Sequence, residues 1–221
     1  MNENKEIKKV LIVDDHPILR QGIKRVLEKE SDLVISGEAA SANEAMEIIN
    51  RDKPDVAIID ITLSGNVNGI DLIRSIKERF PDIYTLVLSM HSESIYAERA
   101  IKSGAHGYIM KEDAAKNIIN AVRTVLNDEL YLSSELSKKL LNKLIHKQGG
   151  SDLTIENLSN REFEIYQFIG NGFSTKEIAN KLSLSIYTVE SHKKNIKEKL
   201  RIKDSSELTR NAIQWVIMHH K

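Results

Sequence analysis

The 221-residue chain contains no cysteine and no long apolar run, and these absences exclude several classes of protein. Without cysteine the chain can form no disulfide framework. No apolar run approaches the roughly 18 residues that a membrane span requires, and the charged amino terminus lacks the apolar core of a signal peptide. We therefore expect a protein that stays in the cytoplasm and has no membrane partner.

The chain also lacks net charge, because 32 Lys and Arg residues balance 32 Asp and Glu residues. The charges are nevertheless unevenly distributed. Residues 1–132 carry 17 Lys and Arg against 22 Asp and Glu, whereas residues 133–221 carry 15 against 10. This asymmetry predicts that acidic and basic functions belong to different parts of the chain.

Strand and helix patterns alternate through the first half of the chain. Four short apolar runs end at residues 13, 59, 88 and 110, and Leu33 to Ser36 forms a fifth. Such runs are typical of strands buried on both faces of a parallel sheet, and amphipathic helical patterns separate them. They predict an α/β fold with a doubly wound, five-stranded parallel sheet of the (βα)5, flavodoxin-like type. Right-handed crossovers would align the carboxyl ends of the strands at the edge where such sheets bind ligands.

Chemically active side chains follow four of these strands: Asp14 and Asp15, Asp60, Ser89 and Lys111. Clustered carboxylates tend to take up protons or a cation, and Mg²⁺ prefers oxygen ligands of this kind together with a phosphate oxygen. The set predicts an aspartyl phosphorylation site. Asp14 and Asp15 would bind the metal, and Asp60, alone on the middle strand, would be the nucleophile. Lys111 and the Ser89 hydroxyl would stabilise the phosphoryl oxygens.

At these residues the chain resembles the receiver domain of bacterial two-component response regulators. The likeness covers residues 8–128 and is carried by five separated pieces in the family's order, at residues 13–16, 59–60, 88–91, 104–105 and 107–111. It implies phosphoryl transfer from a phosphohistidine of a sensor histidine kinase to Asp60. It also implies that Mg²⁺ is held by Asp15, Asp60, the backbone carbonyl of Thr62 and, through water, Asp14.

The resemblance further implies a conformational switch, in which the Ser89 hydroxyl moves toward the phosphoryl group and the aromatic Tyr108 turns inward. The chain departs from the family after Asp60. Position 64 is Ser where receivers usually carry Pro, and Gly69 comes one residue later than the family's glycine. The loop between Thr62 and Asn68 is therefore one residue longer, and its conformation does not carry over from the family.

A linker separates this region from the rest of the chain. Residues 133–147 have the pattern of one amphipathic helix, and the sequence Gln-Gly-Gly-Ser-Asp at 148–152 interrupts any pattern, as flexible linkers do. We therefore predict a receiver domain at residues 1–132, a linker helix and flexible linker at 133–152, and a small helical domain at 153–221.

The carboxyl-terminal region carries start signals for four helices. Capping boxes begin at Ser159 and Ser174, Ser185 caps a third helix, and a fourth spans about residues 206–218. Two short helices joined by a tight turn, the second of them cationic, predict a helix-turn-helix. Within residues 193–203 six basic residues face one acidic residue, which suits binding to DNA phosphates.

The third helix has a predicted core side and a predicted DNA-reading side. Val189 and Ile196 share one side at helical spacing, whereas Glu190, Ser191 and Lys194 lie on the other. Lys donates hydrogen bonds to guanine acceptors, Glu accepts one from a cytosine amino group, and Ser can hydrogen-bond to a base or a phosphate. These three side chains are the candidates for direct readout.

Residues 153–218 resemble the LuxR-type DNA-binding domain. The matching pieces lie at residues 158–162, 172–179, 184–185, 188–192, 196 and 199–200. A receiver joined to this four-helix module is similar to the NarL/FixJ class of response regulators. The resemblance implies that the third helix reads bases, that Lys193 and Lys197 touch phosphates, and that the fourth helix dimerises through Leu208 and Ala212. The implied DNA-contacting residues are Thr188, Glu190, Ser191, Lys193, Lys194 and Lys197.

These features predict a phosphorylation-controlled transcription factor. The unphosphorylated receiver would cover the third helix or block dimerisation, and phosphorylation with Mg²⁺ would shift the population toward an open dimer that reads two half-sites. The expected partners are a sensor histidine kinase, double-stranded promoter DNA, a second copy of the chain and RNA polymerase. We expect slow autodephosphorylation rather than enzymatic turnover.

Two other functions remain open. A haloacid-dehalogenase-like phosphatase uses similar groups, but it places the nucleophile first and a second Asp two residues later, where this chain has Thr62. A constitutive DNA-binding regulator whose receiver is a platform for partners is kept open by the altered loop after Asp60. Zinc at the flanking His16 and His91 is not predicted, because the chain has no cysteine and no suitably spaced third histidine.

Overall fold

The computed structural model describes residues 6–64, 67–90, 93–145 and 155–219. Backbone contacts divide the chain into two compact units, with the main division between residues 146 and 147. The predicted flexible linker at 148–152 and His91 lie outside the described residues, and the domain boundaries at 132 and 152 remain predictions. No helix within the described ranges is long and apolar enough to cross a membrane.

The first unit is a parallel sheet with helices on both sides. Its strands are β1 (Lys8–Val13), β2 (Leu33–Ala39), β3 (Val56–Asp60), β4 (Tyr84–Ser89) and β5 (Gly107–Met110). Its helices are α1 (Pro17–Leu27), α2 (Ala42–Asp52), α3 (Gly69–Arg79), α4 (Glu93–Lys102), α5 (Lys111–Leu126) and α6 (Ser134–Ile145). Neighbouring strands are all parallel, in the order β2-β1-β3-β4-β5. The predicted α/β fold is confirmed.

The strands are continuous aliphatic runs because helices cover both faces of the sheet. Val10, Ile12 and Leu88 face a core that α1 and α5 close. The alternate residues Leu11 and Ile59 are equally buried, on the side where α2, α3 and α4 contact the sheet. The edge strand β2 extends three residues beyond the predicted Ser36, through Gly37, Glu38 and Ala39, because a half-exposed edge tolerates polar residues.

The strand order reverses between β1 and β3, and this reversal locates the functional edge. From β1 the chain adds β2 on one side and then β3, β4 and β5 on the other. Helices on either side of such a reversal diverge and leave a crevice at the carboxyl ends of the two central strands. Asp14 and Asp60 therefore stand at the crevice.

The chain that follows α5 is attached to the outer edge of β5. Tyr131 forms an isolated parallel bridge with Gly107. The Tyr108 amide donates to the Tyr131 carbonyl at 2.8 Å, and the Tyr131 amide donates to the His106 carbonyl at 3.0 Å. These bonds protect the edge strand, and they attach the segment that leads into α6 to the strand that carries Tyr108.

His106 precedes β5 and binds the start of β4 through its ring. The Thr85 amide donates to His106 Nδ1 at 3.1 Å, so this nitrogen carries no proton in the folded state. The ring also packs edge-on against Tyr84, with the centroids 5.0 Å apart. Burial lowers the pKa of His106, and the charge of Lys77 lowers it further, whereas Asp128 opposes the shift.

We expect His106 to make folding less favourable in mild acid. Its pKa is lowered in the folded state, so the unfolded chain binds the proton more readily and the contribution to stability is lost as pH falls below about 6.5. His106→Asn can keep an acceptor for the Thr85 amide without titrating. Urea unfolding between neutral pH and mild acid should show a smaller loss of stability for the variant than for the wild type. Equal losses would contradict this role.

The second unit is helical. It contains a short 3₁₀ turn at Ile155–Asn157 and the helices α7 (Asn160–Gly170), α8 (Thr175–Leu182), α9 (Ile186–Leu200) and α10 (Ser205–His219). Both predicted capping boxes are present, at Ser159 and Ser174, and the Ser185 side chain accepts from the Thr188 amide. The predicted four-helix module is confirmed.

The packing of this unit fixes the orientation of α9. Val189 and Ile196 are fully buried, as their helical spacing predicts. The helix contacts both α7 and α8, and α10 packs on α7. Ser183 ends α8 in the left-handed conformation with φ of 53°, which produces the tight turn between α8 and α9. The opposite side of α9 therefore faces outward.

Candidate functional site: an acidic pocket and a basic helix

Asp14 and Asp60 lie side by side at the carboxyl edge of the sheet. Asp14 follows β1 directly, Asp60 is the last residue of β3, and the register pairs Val13 with Ile59. Only 1% of the Asp14 side chain and 3% of the Asp60 side chain are exposed. Burial of two neighbouring carboxylates is unfavourable unless positive charge is close.

Lys111, the first residue of α5, supplies that charge. Its Nζ lies 2.7 Å from Asp14 Oδ2 and 2.7 Å from Asp60 Oδ2. Arg20 also donates to the Asp14 carbonyl, and the Thr62 amide donates to Asp60 Oδ1 at 3.3 Å. The structure thus brings together three groups that the sequence separates widely, and Arg20 is a contact that sequence reasoning missed.

The pocket changes the proton affinity of its charged groups. The pKa of Asp60 is raised to about 6, chiefly by burial; the charge of Lys111 opposes this shift, and the nearby Asp14 adds to it. Burial alone would lower the pKa of Lys111, but Asp60 and Asp14 together raise it above its ordinary value. One ammonium group therefore offsets only part of the negative charge around Asp60.

Asp15 and His16 complete an acidic cluster at the mouth of the pocket. Ligand atoms of Asp14, Asp15, His16 and Asp60 all lie within 4.8 Å of one another. His16 Nδ1 is 2.8 Å from Asp15 Oδ1 and 3.0 Å from Asp14 Oδ1. Three carboxylates form an oxygen-rich set, which suits Mg²⁺ better than zinc, because zinc in proteins usually has histidine or cysteine ligands.

Ser89 and Tyr108 lie on β4 and β5, the two strands that follow β3 across the sheet. Ser89 is the last residue of β4, is fully buried and pairs with Met110, the residue before Lys111. Tyr108 is buried within β5, with 1% of its surface exposed. A hydroxyl and an aromatic ring are therefore part of the sheet that carries the pocket.

Gly69 determines where Asp60 can lie, and sequence reasoning noted only its shifted position. A Cβ at residue 69 would stand 1.9 Å from the Asp60 carbonyl oxygen and 2.8 Å from Ile61 Cα. The Gly69 amide donates to the Ile61 carbonyl at 2.8 Å. The start of α3 thus packs directly on the backbone of the phosphoacceptor candidate. The signal available in the sequence was a glycine at the start of a helix, just after its Asn cap.

Replacing Lys111 by methionine is expected to slow phosphorylation of the protein by acetyl phosphate about 100-fold, because a preorganised charge at the reacting oxygens is lost. Phosphorylation would be followed by mass spectrometry of the intact chain. Lys102→Met is the matched control, since Lys102 is exposed on α4 and pairs with Glu98 one turn away. An unchanged rate for Lys111→Met would contradict a role for the bridging ammonium.

The outer side of α9 carries most of the predicted DNA-contacting residues. Glu190, Ser191 and Lys194 are exposed, and Thr188 and Lys197 are half-buried. Lys194 Nζ lies 3.9 Å from Glu198 one turn further along, in an exposed ion pair of little strength. The sixth residue, Lys193, is also half-buried, with 17% of its side chain exposed.

Contacts with α7 hold the other side of α9. Glu162, in the capping box of α7, also binds Lys199 near the end of α9 at 2.6 Å. His192 is half-buried beside this pair. Burial lowers the pKa of His192, Glu162 opposes the shift, and the charges of Arg161 and Lys199 add to it. This half-buried environment suits a histidine that packs against α7 rather than one that reads bases.

The structure corrects the predicted dimer contact on α10. Leu208 and Ala212 are 1% and 0% exposed. The Ala212 carbonyl oxygen would lie 2.5 Å from a Cβ placed on Gly170, so α10 packs closely on α7 at this point. These two residues belong to the core and are not available to a partner. The apolar residues that α10 does expose are Ile213, Ile217 and Met218.

Two protein families match the chain in succession. The response regulator receiver domain matches residues 10–123, and the family of bacterial regulatory proteins of luxR type matches residues 156–212. The oxygen regulatory protein NreC of Staphylococcus epidermidis is 35% identical over 211 residues, which cover 93% of this chain and 97% of that protein.

Solved structures of response regulators share the architecture. The RcsB response regulator of Salmonella typhimurium has a TM-score of 0.65 and 26% identity, with 95% of this chain and 98% of that chain covered. RcsB of Salmonella enterica serovar Typhimurium bound to promoter rprA, in the presence of the phosphomimetic BeF₃⁻, has a TM-score of 0.60 and 28% identity, with 93% and 98% covered. With both halves matched in order, the chain belongs to the two-component response regulators of the NarL/FixJ class, which join a receiver domain to a LuxR-type helix-turn-helix DNA-binding domain.

Proposed function

We propose that this protein is a cytoplasmic transcription factor whose DNA binding is controlled by phosphorylation of Asp60. The observation that carries the proposal is the buried position of Lys111, 2.7 Å from both Asp14 and Asp60. A cation held between two carboxylates is ready to stabilise added negative charge on one of them. The phosphodonor would be the phosphohistidine of a sensor kinase.

The chemistry follows from the groups in the pocket. Asp14, Asp15, Asp60 and the backbone carbonyl of Thr62 would hold Mg²⁺, which when bound offsets the negative charge of the phosphoryl oxygens. A carboxylate oxygen of Asp60 attacks phosphorus, the new O–P bond forms, and the N–P bond to the donor histidine breaks. Lys111 pairs with a phosphoryl oxygen.

Ser89 and Tyr108 would transmit the change. The Ser89 hydroxyl donates to a phosphoryl oxygen, and the rearrangement at the end of β4 alters the packing around Tyr108 in the next strand. The Tyr108 amide is bonded to the carbonyl of Tyr131, which leads into α6. A shift in β5 therefore moves the segment that continues toward the DNA-binding domain, and phosphorylation favours the state competent for dimerisation.

The dimer would form on DNA through the exposed apolar side of α10. Ile213 and Ile217 are one turn apart and are 38% and 68% exposed. We therefore assign the dimer contact to Ile213 and Ile217 instead of the predicted Leu208 and Ala212. A symmetric dimer would read two half-sites with its two copies of α9, and RNA polymerase would be the downstream partner at the promoter.

Mass spectrometry after incubation with acetyl phosphate and Mg²⁺ tests the phosphorylation step. A single, base-labile addition of one phosphoryl group supports the proposal, with slow loss reflecting autodephosphorylation. Continuous release of phosphate would instead indicate a phosphatase. No addition would indicate a receiver used only as a platform for partners.

Two lysines on α9 should affect DNA binding differently. Lys194→Ala is expected to relax preference for one base pair of a selected operator, because Lys194 is exposed on the reading side. Lys197→Ala should weaken binding to all sequences and reduce the salt dependence of the affinity by about one counterion. Titrations of fluorescent duplexes at several salt concentrations would measure both effects. Unchanged binding of both variants would contradict the assignment of α9 as the reading helix.

A further inference from the structure

Glu190, Lys193 and Thr175 form a closed triangle of hydrogen bonds. Thr175 Oγ1 donates to Glu190 Oε1 at 2.8 Å, and Lys193 Nζ donates to the same oxygen at 2.8 Å. Lys193 Nζ also donates to Thr175 Oγ1 at 3.0 Å. Glu190 and Lys193 are one turn apart on α9, whereas Thr175 is the first residue of α8. The triangle therefore joins the two helices of the helix-turn-helix.

The position of Thr175 is itself fixed. The preceding Ser174 caps α8 by accepting from the Glu177 amide at 3.3 Å, and the Glu177 side chain accepts from the Ser174 amide at 2.8 Å. This reciprocal pair holds the first turn of α8 in place. The Thr175 hydroxyl is thus presented to Glu190 from a rigid helix end.

The triangle leaves Lys193 poorly suited to reach a phosphate. Its side chain is 17% exposed, compared with 75% for Lys194, and its ammonium already has two acceptors. Lys193 instead neutralises Glu190, and the pKa of that carboxyl is lowered, first by its hydrogen bond with Lys193. A carboxylate paired in this way meets less repulsion when it approaches the polyanion.

The triangle also restricts the Glu190 side chain. Both hydrogen bonds end on Oε1, and 53% of the side chain is exposed. With one oxygen fixed, the other can accept a hydrogen bond with little further loss of side-chain freedom. Such preorganisation lowers the entropic cost of binding. In the major groove both cytosine and adenine offer an amino donor, but the adenine amino group lies beside the acceptor N7, which repels a carboxylate, so Glu pairs with cytosine.

We propose that Thr175 and Lys193 are positioning residues that hold Glu190 as the acceptor for the amino group of one cytosine in each half-site. The inference rests on the proposed function, since it requires α9 to enter the major groove. It changes the role of Lys193 from phosphate contact to support for a base-reading residue. It also assigns a role to Thr175, a residue outside the reading helix.

The test compares Thr175→Val, which removes the hydroxyl at nearly constant shape, with Thr175→Ser, which keeps it. The full-length protein first selects a preferred duplex from a random pool, and affinities are then measured for every single base-pair change. The wild type should prefer cytosine at one position by about tenfold or more. Thr175→Val should reduce this preference several-fold at that position alone, and Thr175→Ser should retain it.

Glu190→Gln, alone and combined with Thr175→Val, tests whether Thr175 acts on base preference through Glu190. Glu190→Gln should abolish the cytosine preference at the same position, and adding Thr175→Val should change the preference no further. A uniform loss of affinity for Thr175→Val, or a preference identical to that of the wild type, would overturn the proposal. Effects of the two substitutions at different base pairs would also overturn it.

Lys193→Met separates the two roles of the lysine. A positioning residue should reduce the cytosine preference at the base pair that Glu190 reads, in addition to any general loss of affinity from the lost charge. A phosphate contact would lower affinity for all sequences equally and leave the cytosine preference unchanged, which would contradict the proposal. If the wild type selects no sequence at all, the proposed DNA-binding function fails. If it selects one but the variants do not shift that preference, only the positioning role fails.

Discussion

Asp60→Asn is expected to abolish phosphorylation of the protein by acetyl phosphate and, with it, the phosphorylation-dependent rise in affinity for operator DNA. Asparagine keeps the shape of the side chain but lacks the anionic oxygen that attacks phosphorus. Lys111, 2.7 Å from Asp60 Oδ2, is placed to stabilise the added phosphoryl oxygens in the wild type. Intact-mass spectrometry and operator titrations before and after acetyl phosphate treatment would measure the two losses.

Asp82→Asn is the matched control. Asp82 is an exposed carboxylate in the turn before β4, at the amino end of that strand and therefore away from the carboxyl ends that form the pocket. This variant should gain one phosphoryl group and respond in DNA binding as the wild type does. Phosphorylation of Asp60→Asn at an undiminished level would show that another residue is the acceptor.

Gly69→Ala is expected to destabilise the first unit and to slow phosphorylation. The added Cβ would lie 1.9 Å from the Asp60 carbonyl oxygen and 2.8 Å from Ile61 Cα. Both are backbone atoms, so neither can rotate away as a side chain could. Either α3 or the end of β3 must shift, at a cost of about 3 kcal/mol. Movement of β3 would displace the Asp60 carboxylate from Lys111. Urea unfolding and the rate of acetyl phosphate labelling would report the two effects.

Gly22→Ala is the corresponding control at a permissive glycine. A Cβ on Gly22, within α1, would meet no atom within 4 Å. Alanine favours a helix interior over glycine, so this variant should be more stable than the wild type by about 0.5–1 kcal/mol. Equal stability of the two variants would show that the close approach at Gly69 does not constrain Asp60.

The sequence predicts most of the fold because its signals are local. Aliphatic runs of strand length predict the five strands, and Ser159 and Ser174 predict helix starts through capping boxes that lie within four residues. The sequence predicts the ends of an edge strand less well. β2 continues past Ser36 to Ala39, since pairing with β1 rather than apolar pattern determines where an edge strand ends.

The helix faces were predicted with uneven success. The spacing of Val189 and Ile196 correctly predicts their burial, because mostly polar residues occupy the other side of α9. On α10 apolar residues occur on several sides, and the dimer contact at Leu208 and Ala212 came from the family resemblance, which does not show that these two residues are buried. Ile18 of α1 is likewise part of an apolar pattern and yet 90% exposed. Which side is covered depends on neighbouring elements that periodicity does not describe.

The sequence by itself determined the kinds of chemical groups at the strand ends, the order of the elements and the helical character of the second unit, because these depend on residues close together in the chain. Only the tertiary structure decided that Lys111 lies between Asp14 and Asp60 and that Gly69 packs directly on the Asp60 backbone. It also decided that Lys193 donates hydrogen bonds to Glu190 and Thr175. Such contacts depend on packing between separate elements. Packing fixes distances to a fraction of an ångström, and local sequence patterns carry no information at that scale.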